Sequence, residues 1–134
     1  MFENPTTTGF YDDRSGAFFS SDCFGALLQT VPQSAADLSE ADLRDGQVFW
    51  ATVDSPWLHK VDRTAFASEL EAIRKMAPTI LSSHLPAAPG HMTERLLKSL
   101  DAAPGAKPFQ GPNQAAFEEL LKKLTEAPVG SADQ

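Results

Sequence analysis

Two side chains that can bind a metal ion each follow a short apolar stretch of the sequence. Asp22 comes after residues 17–20, and His84 comes directly after residues 79–83. Such stretches favour strands, and the carboxyl ends of strands are where α/β folds gather functional groups. A carboxylate and an imidazole are ligands that both zinc and iron accept. The spacing therefore predicts a metal site that contains Asp22 and His84.

Each of these residues also has an ordinary structural interpretation, and that alternative stays open. An aspartate after a strand often caps a turn, and a single histidine is often a hydrogen-bonded core or surface group. Three further candidates are interpreted as structural residues. They are His59 in a packing or capping role, His91 as a solvent-exposed residue, and Cys23 as an inert buried thiol.

Three short apolar stretches are predicted to form the strands that position the site. Residues 9–12 and 17–20 predict a hairpin, because the polar turn between them ends in Gly16, which readily adopts a positive φ. Residues 79–83 follow a helix and predict a buried strand. Residues 86–90 contain two prolines and a glycine, and they predict a loop.

Four stretches with apolar residues at spacings of three and four predict helices. They cover residues 40–61, 63–76, 93–100 and 114–125. Pro56 interrupts the first of them, because proline cannot donate a backbone hydrogen bond. The large aromatic residues of this first stretch, Phe49, Trp50 and Trp57, are predicted to lie in the core.

The predicted order, β-β-α-α-β-α-α, indicates a layered α/β domain. Residues 1–127 are expected to form this domain, and residues 128–134 a flexible tail. Three strands are few for four helices, since the mean sheet has about five to six strands. A sheet of three strands is too small for the apolar faces of four helices to pack against. We therefore expect further strands to be supplied from elsewhere.

The segments around both candidate ligands resemble those of a known family. Residues 18–25, FFSSDCFG, are similar to the strand and loop of metallo-β-lactamase-fold proteins, in particular the oxygen-binding di-iron branch related to flavodiiron proteins. Residues 80–86, ILSSHLP, resemble the later strand of that family, which ends in a metal-binding histidine. The likeness extends from residue 5 to about residue 117.

This resemblance implies both a fold and a site. The fold is the C-terminal half of a four-layer αββα sandwich. Asp22 corresponds to the carboxylate that bridges two metal ions, and His84 to the last histidine ligand. The complete site would hold two divalent metal ions, iron or zinc, and the parent protein would be a metallo-hydrolase or a di-iron oxygen-binding protein.

The chain departs from the family pattern because most of the ligands are missing. The family's His-x-His-x-Asp-His motif and one further histidine have no counterpart, since the only histidines are His59, His84 and His91. One aspartate and one histidine do not complete a four-ligand site. We therefore expect a fragment or subunit that is inactive alone, whose partner is the N-terminal half of the fold, on a separate chain or in a missing segment.

A second class of function also fits the sequence, a non-catalytic and metal-free association domain. A half-sandwich exposes an apolar sheet edge and face, and an unprotected edge favours pairing between chains. On this interpretation the chain forms a homodimer through that edge, and the helices serve association only.

Composition limits the partners and the location that we expect. The formal net charge is -7 at pH 7, which argues against nucleic acid as a partner because phosphate binding needs clustered lysine and arginine. No apolar run approaches the roughly 18 residues of a membrane span, and no signal-peptide pattern is visible. A single cysteine fits a reducing compartment, so we expect a cytoplasmic protein that does not bind membranes.

Overall fold

The computed structural model describes residues 8–126. Within them it has four strands, β1 (Phe10–Asp12), β2 (Ala17–Ser21), β3 (Thr79–Ser82) and β4 (Leu85–Ala88). It has four α-helices, α1 (Glu40–Asp54), α2 (Arg63–Met76), α3 (Thr93–Ala102) and α4 (Gln114–Glu126). The predicted α/β class is confirmed, and the tail predicted over residues 128–134 lies outside the described residues.

The four strands form one mixed sheet in the order β1-β2-β3-β4. β1 and β2 are antiparallel and form the predicted hairpin. β2 and β3 are parallel, with Phe18 opposite Ile80, whereas β3 and β4 are antiparallel. Because β2 and β3 run in the same direction, their carboxyl ends reach the same edge of the sheet.

The loop predicted over residues 86–90 is wrong in its first part, which belongs to β4. Ala88 pairs with Ile80, and Leu85 pairs with Ser82. Pro86 is compatible with this strand, because on an edge strand one row of backbone N–H groups has no strand partner. His84 therefore lies in the tight turn of a β3–β4 hairpin, whereas the sequence predicts it at the end of a strand that is followed by a loop.

One face of the sheet carries the core. Phe18, Ile80 and Ala88 are neighbours across three strands, and all three are buried. The helices contribute the other large members of the same cluster, namely Leu43 of α1, Phe66, Leu70 and Ile73 of α2, and Leu96, Leu97 and Leu100 of α3. The apolar stripes that predict α2 and α3 in the sequence are therefore the surfaces that these helices bury in the core, next to the inner face of the sheet.

The opposite face of the sheet carries apolar side chains that water can reach. Phe10, Phe19 and Leu81 lie opposite one another on β1, β2 and β3, and we call them the outer apolar row. The rings of Phe10 and Phe19 stack with their centroids 4.5 Å apart, yet these residues are 59% and 37% exposed. An antiparallel or mixed sheet that faces water normally presents polar residues there.

Local sequence explains where the helices begin and end. The side chain of Ser39 accepts a hydrogen bond from the first turn of α1, and Asp62 accepts two from the first turn of α2. Pro56 follows the end of α1 and begins a short 3₁₀ turn, as the sequence predicts. Ala77, with a left-handed φ of 43°, ends α2.

The prediction that the aromatic residues of α1 and its following turn lie in the core is wrong for Phe49 and Trp57, which are exposed. Leu43, Gln47 and Ala51 are spaced by four residues and occupy the buried face of α1. Phe49 is two positions from Gln47, about 200° around the helix, and so it points to the other side.

Candidate metal-binding site

The backbone turns sharply after β2, and this turn brings Asp22 to the edge of the sheet. Ser21 and Phe24 have positive φ angles of 53° and 64°, a region that costs L-residues roughly 1–2 kcal/mol each. Neighbouring bonds hold this conformation. The hydroxyl of the fully buried Ser20 donates to the carbonyl of Cys23 at 2.8 Å, and the amide of Gly25 donates to the carbonyl of Asp22 at 3.1 Å.

The turn that contains His84 is tied to the loop after β2. The amide of Ser83 donates to the carbonyl of Ser21 at 2.8 Å, and the hydroxyl of Ser82 donates to the same oxygen at 3.1 Å. In return, the amide of Ala26 donates to the carbonyl of His84 at 3.1 Å. These contacts fix the two loops relative to each other.

The side chains of Asp22 and His84 meet at this edge of the sheet. Nε2 of His84 and Oδ1 of Asp22 are 3.0 Å apart, which is within ion-pair distance. The His84 side chain is 45% exposed and that of Asp22 is 34% exposed, so solutes can reach both. The fold therefore brings together the two residues that the sequence singles out as ligands.

Trp50 of α1 forms a wall beside this pair. The centroid of its ring lies 4.3 Å from that of the His84 imidazole, with the planes inclined by 38°. Its indole N–H donates to the carbonyl of Asp22 at 2.9 Å. The sequence predicts Trp50 in the core and gives no sign of this role, because the spacing along α1 does not reveal which residue from a distant loop the indole contacts.

Gly25 is the one sequence signal of this close approach. A Cβ at residue 25 would lie 2.5 Å from Nε1 of Trp50, closer than real Cβ contacts. We expect Gly25→Ala to displace the indole from Asp22 and to lower the free energy of unfolding by about 1–3 kcal/mol, the usual effect of overpacking. Gly105→Ala is the matched control, since a Cβ there meets nothing within 4 Å. Urea denaturation measures both variants, and equal stabilities would contradict the tight Gly25–Trp50 contact.

The Asp22–His84 pair fits a single cation in the type and separation of its donor atoms. Two ligands on one tetrahedral zinc ion, each bonded at about 2.0–2.2 Å, place their donor atoms about 3.4 Å apart. The 3.0 Å between Oδ1 and Nε2 is close to this spacing. A bound cation would bond to Nε2 of His84 without its proton, because histidine binds metal as the neutral imidazole.

The pair supplies only part of a coordination shell. Among residues 8–126, no three His, Cys, Asp or Glu side chains gather in a group that could hold a metal ion. Nδ1 of His59 lies 2.6 Å from the carbonyl of Pro56 in its own turn, and His91 is exposed in the turn before α3. Cys23 is buried. A four-coordinate centre therefore needs further ligands from water or from groups outside this range.

An open groove gives access to the imidazole. Its volume is about 480 Å³, and Trp50, His84 and Pro86 form part of its wall. The rest is mostly apolar, with Leu28 and Val31 among the lining residues. A molecule that approaches His84 by this route would therefore contact apolar side chains on several sides.

The chain matches no protein-family model, no curated protein and no solved structure at a significant level. The relation to metallo-β-lactamase-fold proteins therefore stays a prediction that depends on the motifs around Asp22 and His84.

Within residues 8–126, no helix combines the length and the apolar character needed to cross a bilayer.

Proposed function

We propose that this chain contributes Asp22 and His84 to a metal centre whose remaining ligands come from a partner chain or segment. The observation that supports this most directly is the 3.0 Å separation of Oδ1 and Nε2 at the shared end of two parallel strands. Two protein ligands leave a four-coordinate site incomplete, so the chain alone is inactive. The family resemblance makes the assembled protein a metallo-hydrolase or a di-iron oxygen-binding protein, with iron or zinc as the metal.

The chain's own residues would orient these ligands. A bound cation would act as a Lewis acid or lower the pKa of a coordinated water. The Trp50 ring restricts rotation of the His84 imidazole, and its hydrogen bond fixes the backbone of Asp22. Ligands held in place in this way are prepared for binding, which reduces the ordering that the metal must impose.

The outer apolar row supports a partner that adds a second sheet. Sheets packed face to face lie about 10 Å apart, with apolar side chains filling the space between them. Phe10, Phe19 and Leu81 occupy such a face, opposite the one that the helices cover. This arrangement is compatible with the C-terminal half of an αββα sandwich, which remains our proposal for the complete fold.

Titration of the purified chain with Zn²⁺ and Fe²⁺ in a calorimeter tests the ligand assignment. We expect weak binding that becomes at least about tenfold weaker in Asp22→Ala and in His84→Ala, since each substitution removes a donor atom. His59→Ala and His91→Ala are matched controls, because both histidines are exposed and neither contacts the pair. Equal affinity in the ligand variants and the control variants would exclude this site. Tight binding of two ions by the chain alone would contradict the need for a partner.

A metal-free association domain is the second candidate function. It is favoured by the accessible outer apolar row, and by the direct 3.0 Å approach of the Asp22 carboxylate to the His84 imidazole, which needs no metal between them. On this alternative the chain forms a homodimer through its sheet. Metal analysis after mixing with a histidine-rich partner half separates the two functions, because a reconstituted pair without metal would favour the association domain.

A further inference from the structure

The pairing of β2 with β3 has an irregular step just before Asp22. Phe19 of β2 pairs with Leu81 of β3. The next residue of β3, Ser82, pairs with Ser21, so β2 has one extra residue at this point. Such an extra residue is a β-bulge, which bends the strand and changes the direction of the side chains that follow it. The path of the chain into Asp22 therefore depends on how Ser21 is held against Ser82.

The carbonyl of Ser21 accepts two hydrogen bonds from the turn that contains His84. The amide of Ser83 donates to it at 2.8 Å, and the hydroxyl of Ser82 donates to it at 3.1 Å. This carbonyl belongs to the planar peptide group that also contains the nitrogen of Asp22. The two bonds therefore fix the peptide from which Asp22 continues, next to the left-handed φ of 53° at Ser21.

The hydroxyl of Ser82 also contacts the backbone of the other candidate ligand. It accepts a longer hydrogen bond from the amide of His84, at 3.4 Å. A serine hydroxyl has one donor proton and two acceptor lone pairs, so it makes this bond and the bond to Ser21 at the same time. One side chain therefore links the backbone at His84 to the peptide that precedes Asp22.

We propose that Ser82 is a positioning residue whose hydroxyl sets the geometry of the Asp22–His84 pair. Its effect on metal binding rests on the proposed function, whereas its effect on the pair itself does not. Groups that hold metal ligands in place without binding the metal commonly change the metal affinity by about 10–100-fold when they are removed. Ser82 has such a place, because its hydroxyl bonds to the backbone beside both ligands.

NMR spectra of the metal-free chain test the effect on the pair. The Trp50 ring centroid lies 4.3 Å from that of the His84 imidazole, so its ring current shifts the imidazole proton signals. We expect Ser82→Ala to change this shift, because the imidazole moves relative to the indole, and Ser82→Thr to restore it by keeping a hydroxyl. Ser99→Ala is the matched control, since it removes a hydroxyl that donates to a carbonyl of α3 at 3.0 Å.

Titration of the same variants with Zn²⁺ in a calorimeter tests the effect on metal binding. We expect Ser82→Ala to bind zinc at least about tenfold more weakly than the wild type, and Ser82→Thr and Ser99→Ala to stay within about twofold of it. Thermal unfolding of Ser82→Ala and Ser99→Ala measures the stability that each loses with its hydroxyl. A purely structural role of Ser82 would lower stability without changing the His84 signals.

The inference is overturned if the His84 signals of Ser82→Ala equal those of the wild type, or if Ser99→Ala changes them as much. It is also overturned if the signals of Ser82→Thr match those of Ser82→Ala. A changed His84 signal with unchanged zinc affinity would exclude a role of Ser82 in metal binding. A wild-type chain that binds no zinc, with signals that still change in Ser82→Ala, would contradict the proposed metal centre and support the positioning of the pair by Ser82.

Discussion

Replacement of Leu97 by alanine is expected to lower the free energy of unfolding by about 2–5 kcal/mol. Leu97 is 0% exposed and belongs to the cluster that joins α3 to the inner face of the sheet. α3 also packs against α1 and α2, so it lies between several elements. Truncation would leave a cavity that these packed neighbours cannot fill, which adds to the lost transfer free energy.

Leu120→Ala is the matched control for this experiment, since it makes the same chemical change at an exposed position of α4. We expect it to alter the free energy of unfolding by no more than about 0.5 kcal/mol. Urea denaturation of both variants, at concentrations where the chain is monomeric, measures the difference. Equal losses would contradict the burial of Leu97 in the core.

Gln47→Glu is expected to destabilise the protein strongly at neutral pH and weakly in acid. Gln47 is 1% exposed, and its amide nitrogen donates to the carbonyl of Leu96 at 3.2 Å. No partner of its side-chain oxygen is found in the described structure. A carboxylate here would be buried without compensation, so burial would raise the pKa of the new carboxyl by about 2–4 units, equivalent to about 3–5 kcal/mol.

The sign of the pH dependence follows from this raised pKa. Below about pH 4 the carboxyl is protonated in both the folded and the unfolded state, and its O–H can replace the amide donor to Leu96. As the pH rises above the unfolded pKa, only the unfolded chain releases the proton, and the free energy of unfolding falls until the folded pKa is passed.

Gln47→Met is the control for this pH series, because it has a similar length and no ionisable group. We expect a loss below about 1.5 kcal/mol that does not change with pH. Urea denaturation of both variants at pH 4, 6 and 8 measures the effect. A constant difference between Gln47→Glu and Gln47→Met would contradict the burial of residue 47.

The sequence predicts the local features of this fold well because they depend on neighbouring residues. Ser39 and Asp62 cap their helices with side-chain oxygens, and Pro56 ends α1 by lacking an N–H. β4 is missed for a related reason. Pro86 disfavours a central strand, and the chain alone does not show that β4 lies at a sheet edge where proline is accepted.

The candidate site could be predicted in part. Asp22 and His84 are found from their positions after two apolar stretches, and their contact follows once β2 and β3 pair in parallel. Trp50 could not be predicted as a neighbour of both, because the contact joins α1 to two loops that are distant in sequence. The only sign of this contact in the sequence is Gly25, whose missing side chain leaves space for the indole.

The parallel pairing of β2 and β3 has a consequence for how the site assembles. Ser21 and Ser82, which link the two loops, are 61 residues apart in sequence, and α1 and α2 lie between them. Closing so long a segment lowers the conformational entropy of the chain before the contacts between the strands can stabilise the structure. Such pairings are therefore slow to form. We therefore expect Asp22 and His84 to come together only after α1 and α2 have formed, so that the geometry of the pair depends on the whole domain.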